Sequence, residues 1–408
     1  MSNQQQEWPF DQSNSREGEH KPPQKSQKVS RKLNNAIAVL VIAVMIAVLF
    51  VVARGAAAAL PVQDLAQYWA AAHLVTSNPY SQASITGFER SLGVSADGVP
   101  MVMRNPPMAL VFVLPFRFMD YQSAFAAWDL FSLLVLAGCG RAVYSLANGR
   151  PSIAPALICL LFGPAVALLM LGQIAILVLL GITLFLVMVE RRSDWRAGAA
   201  LSLTIVKPHI ALLFLAAVAL WSIHHKRWKI LVGGAGSLGL MSAIVMVINP
   251  NVFAQYLAFV KQFTQETTPY PNIGGLLFTL SGVHFLAFLP QISGFAWFIF
   301  YWIRHRDRWD WQAHGMIVLM VSLVCSYYSF PFDQIILIPA LMTAFANGDR
   351  RLFLYAFVAT NLGFVIYISG VAGHFGGGPM FLWWTASGWF VTYLLATYRP
   401  STTNTIAG

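Results

Sequence analysis

Thirteen apolar runs, joined by short polar stretches, occupy most of this chain and fix its class of fold before any motif is considered. They lie at about 36–53, 107–119, 122–144, 152–170, 174–190, 197–206, 209–221, 229–249, 284–303, 312–329, 334–346, 352–371 and 379–397. A run of about 20 apolar residues spans a bilayer as a helix, which satisfies its own backbone groups where water is absent. Charged residues make up only 10% of the 408, against about 25% in an ordinary soluble domain. So few charges cannot cover a soluble protein of this length. The composition predicts one all-α, polytopic integral membrane protein.

The formal net charge of +10 would suit a nucleic-acid binder, but the placement of the charges argues otherwise. Lys and Arg in short loops stay on the cytoplasmic side. The clusters at Lys21–Lys32, Arg141–Arg150, Arg191–Arg196, Lys226–Lys229, Arg304–Arg308, Arg350–Arg351 and Arg399 can all lie inside together. That requires 107–119 to be interfacial or re-entrant and the other twelve runs to cross, about 12 transmembrane helices in all. The inside then holds 20 of the 26 Lys and Arg and carries +11, while the outer half carries −1. Both termini are expected in the cytoplasm, and nucleic acid drops out as a partner.

Residues 1–35 have the polar composition of a disordered cytoplasmic tail, and 398–408 form a second tail. The run 36–53 reads as a retained first helix, and 36–397 as a single transmembrane domain. Its outer loops, 54–106 and 250–284, are expected to carry short interfacial helices and any active site. Cys139, Cys159 and Cys325 all sit in apolar stretches and read as small buried hydrophobes.

Ionisable groups at membrane depth are costly and mark functional sites. Here Asp64, Arg104, Asn105, Gln173, Lys207, His209, Asp333 and His374 all fall at outer helix ends or in outer loops. That convergence predicts an outward-opening polar cavity lined by acid and base. Asp64 precedes a segment in which Tyr68 stands at i+4, with Trp69 and Ala72 following at helical spacing. The spacing suggests an amphipathic helix on the membrane surface. Asp64 is either a general base toward a hydroxyl or an N-cap.

Lys207, between two short apolar runs and before Pro208, suits a phosphate or snorkels to the headgroups. Arg104, ahead of Asn105-Pro106-Pro107, has the same two readings. Gly172-Gln173 reads as a tight turn between helices, and Asp333 as a cap for the helix 334–346. His374 falls in a Gly-rich loop, and Asp129, within 122–144, is expected to hydrogen-bond to a neighbouring helix.

Gly234-Ala-Gly236-Ser-Leu-Gly239 matches a dinucleotide-binding pattern, but it lies inside an apolar run with no preceding strand. Helix packing through small residues accounts for it better. The chain has no P-loop, no H-E-x-x-H and no Cys/His cluster of metal-ligand spacing. No cofactor and no metal are expected.

The ordered set Asp64-Leu-Ala-Gln-Tyr68-Trp69-Ala-Ala-Ala72, Asn78-Pro79-Tyr80, Asn105-Pro106-Pro107, Leu171-Gly172-Gln173, Arg191-Arg192, Arg196-Ala-Gly198, Lys207-Pro208 and Phe332-Asp333 resembles glycosyltransferase family 87 of the GT-C superfamily. That family includes polyprenyl-phosphate-mannose-dependent mannosyltransferases. Asn105 stands where the family often has Tyr, and Ser77 where Gly is common.

The resemblance implies a GT-C-like hexosyltransferase in the cell inner (plasma) membrane, multi-pass, with its active site facing the periplasm or exterior. Its donor would be a polyprenyl-phosphate-linked sugar, mannose foremost, and its acceptor an extracytoplasmic lipid or glycan. By the same resemblance, Asp64 would be the catalytic base of an inverting transfer, and Lys207, Arg104 and His209 would bind the donor phosphate. Tyr68, Asn105, Gln173 and Asp333 would contact substrate. The alternative is a secondary transporter or lipid flippase. It would hold its polar groups near the midplane of an inverted repeat.

Overall fold

Among the described residues all regular structure is helical, as the apolar runs require. The computed structural model describes residues 50–51, 54–55, 64–91, 101–148, 152–263, 270–369 and 378–397. Both expected tails, most of the run 36–53, and His374 lie outside the described residues. By its contacts the chain divides after Phe50, and the unit Val51–Gly408 carries everything described below.

The first helices are α1 (Leu65–His73) and α2 (Gln82–Ser91), followed by a short helical segment Pro107–Phe118. Helix α3 (Tyr121–Asn148) is long. It is followed by α4 (Ala154–Leu160), α5 (Gly163–Leu171), α6 (Ile176–Glu190) and α7 (Asp194–Leu201). Next come α8 (Leu212–His224), α9 (Trp228–Ile248), α10 (Val252–Phe263), α11 (Ile273–Ser281) and α12 (His284–His305). The remainder is α13 (Met316–Val324), α14 (Ile338–Asn347), α15 (Arg350–Ile368) and α16 (Thr385–Thr397).

Among the described residues three helices are long and apolar enough to cross a bilayer: Tyr121–Ala147, Trp228–Ile248 and His284–Arg308. The pair α4 and α5, bent by 57°, makes a fourth if it acts as one broken span. Pro107–Phe118, Ile176–Glu190, Pro208–His224 and Trp311–Val324 are apolar but shorter. The protein is thus an all-α membrane protein, with three or four spans evident by length and composition among the described residues.

Helix α6 is apolar on every side, and its residues Ile176–Leu179, Ile182 and Phe185 are buried, so it forms the centre of the core. Small residues let its neighbours approach. A Cβ on Gly181 would meet Ala200 O of α7 at 2.9 Å, and one on Gly198 would collide with Ile230 O of α9. Gly233 and Gly234 complete that α7–α9 contact, whereas Gly236 and Gly239 face open space. Small-residue packing therefore explains only the first part of the glycine pattern. Large apolar side chains such as Val232, Leu240 and Val247 of α9, and Phe285, Ile299 and Phe300 of α12, point outward. A lipid-facing surface is built this way.

One expectation about the outer segments is corrected. Helix α1 does not lie on a surface: Leu65, Ala66, Tyr68, Trp69, Ala70, Ala71 and Ala72 are all buried. Apolar residues surround it on nearly every side, so packing rather than an interface is what satisfies it. Trp69 anchors it by donating from Nε1 to Met119 O at 2.9 Å. The interval 250–284 contains the short helices α10 and α11.

Candidate active site

Lys207 is the pivot of the site. It precedes Pro208, whose ring disfavours the helical region for the residue before it, and Lys207 accordingly takes φ −145° and ψ 68°. The helical turns Ser202–Val206 and Pro208–Ala211 stop and restart on either side. The two short apolar runs are therefore separated by a break at the lysine. Asn105 holds this break from across the molecule, its Nδ2 donating to Val206 O. Tyr80 in turn donates from its hydroxyl to Asn105 O at 3.0 Å, and its own backbone N–H donates to Asn78 Oδ1. The Asn-Pro-Tyr turn is thus a brace for the Asn105 segment.

Lys207, 7% exposed, donates from its ammonium to Asp333 Oδ1 at 2.8 Å and to Gln173 Oε1 at 3.0 Å. It also sits 4.7 Å from the centre of the Phe332 ring. Asp333 is fully buried, and its Oδ2 accepts the Phe330 N–H at 2.9 Å. The expected capping role is met in part, but on the turn Pro331–Leu337, and the other oxygen serves the lysine. An ammonium has three donors, so two are accounted for by protein.

Gln173 is placed by Gly172, which ends α5 in the left-handed region at φ 65°. A side chain there would be strained, and a Cβ would meet Leu65 Cβ at 2.8 Å. The turn lets α5 press onto α1 and brings Gln173 beside Asp64. Gln173 Nε2 donates to Asp64 Oδ2, and its Oε1 also receives the Tyr68 hydroxyl at 3.4 Å. Trp128 Nε1 fixes its backbone by donating to Gln173 O at 3.3 Å. Asp64 stands at the N-cap position of α1, yet its side chain makes no cap hydrogen bond. It turns to the glutamine instead.

These groups surround a cavity of about 590 Å³. Asp64, Tyr68, Arg104, Asn105, Gln173, Lys207 and His209 line it, and Asp333 lies directly behind Lys207. All eight residues singled out in the sequence as catalytic or binding groups therefore converge. Burial raises the Asp64 pKa above the usual carboxylate value, against the lowering effects of Gln173, Lys207 and Arg104. A carboxyl so shifted is better suited to accept a proton than an ordinary surface one. His209 faces Tyr328 edge-on, with ring centres 5.1 Å apart, and its buried Nε2 has no hydrogen-bond partner among the described residues.

The lining is also aromatic, with Tyr256, Tyr328, Phe330 and Phe332. Gln67 and Tyr256 were not picked out in the sequence. Gln67 shares the Asp64 side of α1, one turn on, so helical spacing alone pointed to it. Tyr256 carried no local signal. Asn105 lines the cavity, but its amide nitrogen is already engaged by Val206 O. Asp129 does not line this cavity, and its Oδ1 has no hydrogen-bond partner among the described residues, contrary to expectation. Among the described residues no three His, Cys, Asp or Glu side chains come together in a way that could hold a metal.

With this geometry in view, the sequence profile of glycosyltransferase family 87 matches residues 104–326, more than half of the chain. The chain belongs to glycosyltransferase family 87. The match begins at Arg104 and ends at Ser326, so it takes in Asn105, Gln173, Lys207 and His209. Asp64, Tyr68 and Asp333 fall outside it and join the site through the fold. No curated protein matches the chain. A family 87 glycosyltransferase needs a sugar donor and an acceptor, and this cavity is where its acid and cation meet.

Proposed function

We propose that this glycosyltransferase moves a hexose, mannose, from a polyprenyl-phosphate donor to an extracytoplasmic lipid or glycan. One observation carries the reading: a half-buried carboxyl, Asp64, and a buried ammonium, Lys207, meet through one glutamine at a single cavity. Asp64 takes the proton of an acceptor hydroxyl. The freed oxygen attacks C1 of the donor sugar from the face opposite the phosphate, forming the new glycosidic bond. The C1–O bond to phosphate breaks, and polyprenyl phosphate leaves with the electron pair. The configuration at C1 inverts.

Lys207 and Arg104, with His209, hold the departing phosphate and meet its growing negative charge, where fixed donors lower a barrier most. Tyr68, Gln173 and Asp333 keep these groups in register. An apolar groove of about 290 Å³, lined by residues such as Leu201, Ile205, Leu215 and Leu238, supports a lipid-linked donor. Pro208 borders both this groove and the polar cavity.

The Lys and Arg distribution supports a multi-pass inner-membrane protein of about twelve crossings, with cytoplasmic termini and an outward-facing site. The test is incubation of the purified protein with labelled polyprenyl-phosphate-mannose and a membrane lipid extract. Label entering a new lipid or glycan is expected. No transfer from several polyprenyl-phosphate sugars would overturn the reading in favour of a transporter.

A further inference from the structure

Gln173 stands among the residues expected to touch substrate, and both ends of its side-chain amide are already bonded to the protein. Nε2 donates to Asp64, and Oε1 receives both Lys207 at 3.0 Å and Tyr68 at 3.4 Å. Chemistry dictates this orientation. An ammonium can only donate and an ionised carboxylate can only accept, so a flipped amide would set both contacts in repulsion. Lys207 forms its ion pair with Asp333 and, among the described residues, none with Asp64. Two carboxyls therefore flank one ammonium, one in direct contact and the other held off by a neutral amide. The residue before Gln173 has the left-handed backbone that makes this insertion possible.

We infer that Gln173 is a positioning residue, a neutral spacer that keeps Lys207 on Asp333 and off Asp64. The inference rests on Asp64 being the proton acceptor. An aspartate in direct contact with a buried ammonium has its lone pair committed and its proton affinity cut. Such a group is a poor base. The spacer separates the two tasks of the cavity, proton removal at Asp64 and charge neutralisation at Lys207. Without the amide, each charge loses a partner in a buried setting, and the two attract across the gap. The groups facing Asp64 from its surroundings are Tyr68, Arg104, Gln173, Lys207 and Asp333, so a change at Gln173 acts on a defined set.

The test uses the full chain, purified, with Gln173→Met and Gln173→Glu, both close to the native side chain in size. Infrared difference titration of isotope-labelled aspartate carboxyls reads protonation directly, with Asp64→Asn and Asp333→Asn assigning the bands. Gln173→Met takes away the amide's own lowering hydrogen bond but lets the ammonium reach Asp64. Direct contact with an opposite charge outweighs the lost bond, so the Asp64 midpoint is expected to fall by about one pH unit or more. A midpoint that rises would overturn the spacer role. Gln173→Glu, which sets a second carboxyl against Asp64, is expected to raise it. The acid limb of the rate profile, measured with polyprenyl-phosphate-mannose, should move in the same two directions. An Asp64 midpoint unmoved in both variants would overturn the spacer role, whatever happens to the rate. Opposite midpoint shifts with no sugar transfer by the parent protein would uphold the spacer and sink the proposed reaction instead.

Discussion

The two ends of helix α8 each carry a buried or half-buried ion pair, and they are built for different ends. At its start, Lys207 meets Asp333, with side chains 9% and 0% exposed. Beyond its last turn, Arg227 meets Asp194, with side chains 24% and 17% exposed. Arg227 engages both carboxylate oxygens, with Nε donating to Oδ2 at 3.1 Å, and its guanidinium lies 4.8 Å from the Trp221 ring. That pair ties the α6–α7 turn to the α8–α9 turn and faces no cavity of the site. Lys207 grips one oxygen only, shares itself with Gln173 and borders about 590 Å³ of space. A forked, two-bond arginine suits a permanent tie, and a lysine with a spare donor suits a ligand that comes and goes. The difference teaches that burial of an ion pair does not by itself mark function. Incomplete satisfaction beside a cavity does.

The hardest blow to that contrast falls on the acid next to the lysine. Asp64→Asn should cut transfer by about 10²–10⁴-fold, the usual worth of a general base, while expression and thermal unfolding stay near those of the parent. Parent-like transfer by this variant, read with labelled polyprenyl-phosphate-mannose, would remove Asp64 from its role. Lys207→Ala comes next, with a loss of about 10²–10³-fold in turnover and weaker donor binding. It should also destabilise the protein by about 3–5 kcal/mol, because Asp333 is left buried and unpaired. Thermal unfolding in detergent reads that cost separately from the assay.

Smaller effects sharpen the contrast. Because burial holds the Asp64 pKa above the usual carboxylate value, activity should already fall at a pH where an exposed carboxylate remains ionised. The rate rises with pH through that raised value, since the base must be deprotonated. Stability responds with the opposite sign. The contribution of Asp64 is present below the ordinary carboxylate range and is lost as pH rises through its raised pKa. A pH–rate profile and unfolding curves at matched pH test both directions. At the other end of α8, Arg227→Gln should cost about 1 kcal/mol or less and leave transfer at the parent rate. A collapse of activity in that variant would erase the distinction between the two ends.

Some of the site was legible because its cause is local. Lys207-Pro208 breaks a helix through the proline ring, wherever the rest of the chain goes. Gly172 announced a turn for the same kind of reason. The fate of Asp64 was not legible, since capping α1 and reaching Gln173 are equally open to an aspartate at a helix start. Its choice depends on a residue 109 positions away. Asn105 was read as a substrate ligand, but its amide nitrogen belongs to Val206, 101 positions on. Helix α1 was misread as interfacial because Tyr68 and Trp69 suggested a face. The run of Leu and Ala around them signals a helix packed on all sides.

The sequence by itself determined that this chain is helical and lies in a membrane, because apolar runs with so few charges have no other stable solution. It also determined which polar residues had no structural excuse to be at membrane depth. Only the tertiary structure decided how they pair: Lys207 with Asp333, Asp64 with Gln173, and the amide between the two charges. Composition and periodicity are sums over neighbours in the chain. Hydrogen-bond partners are chosen by distance in space, and these four residues meet only when four separate segments pack.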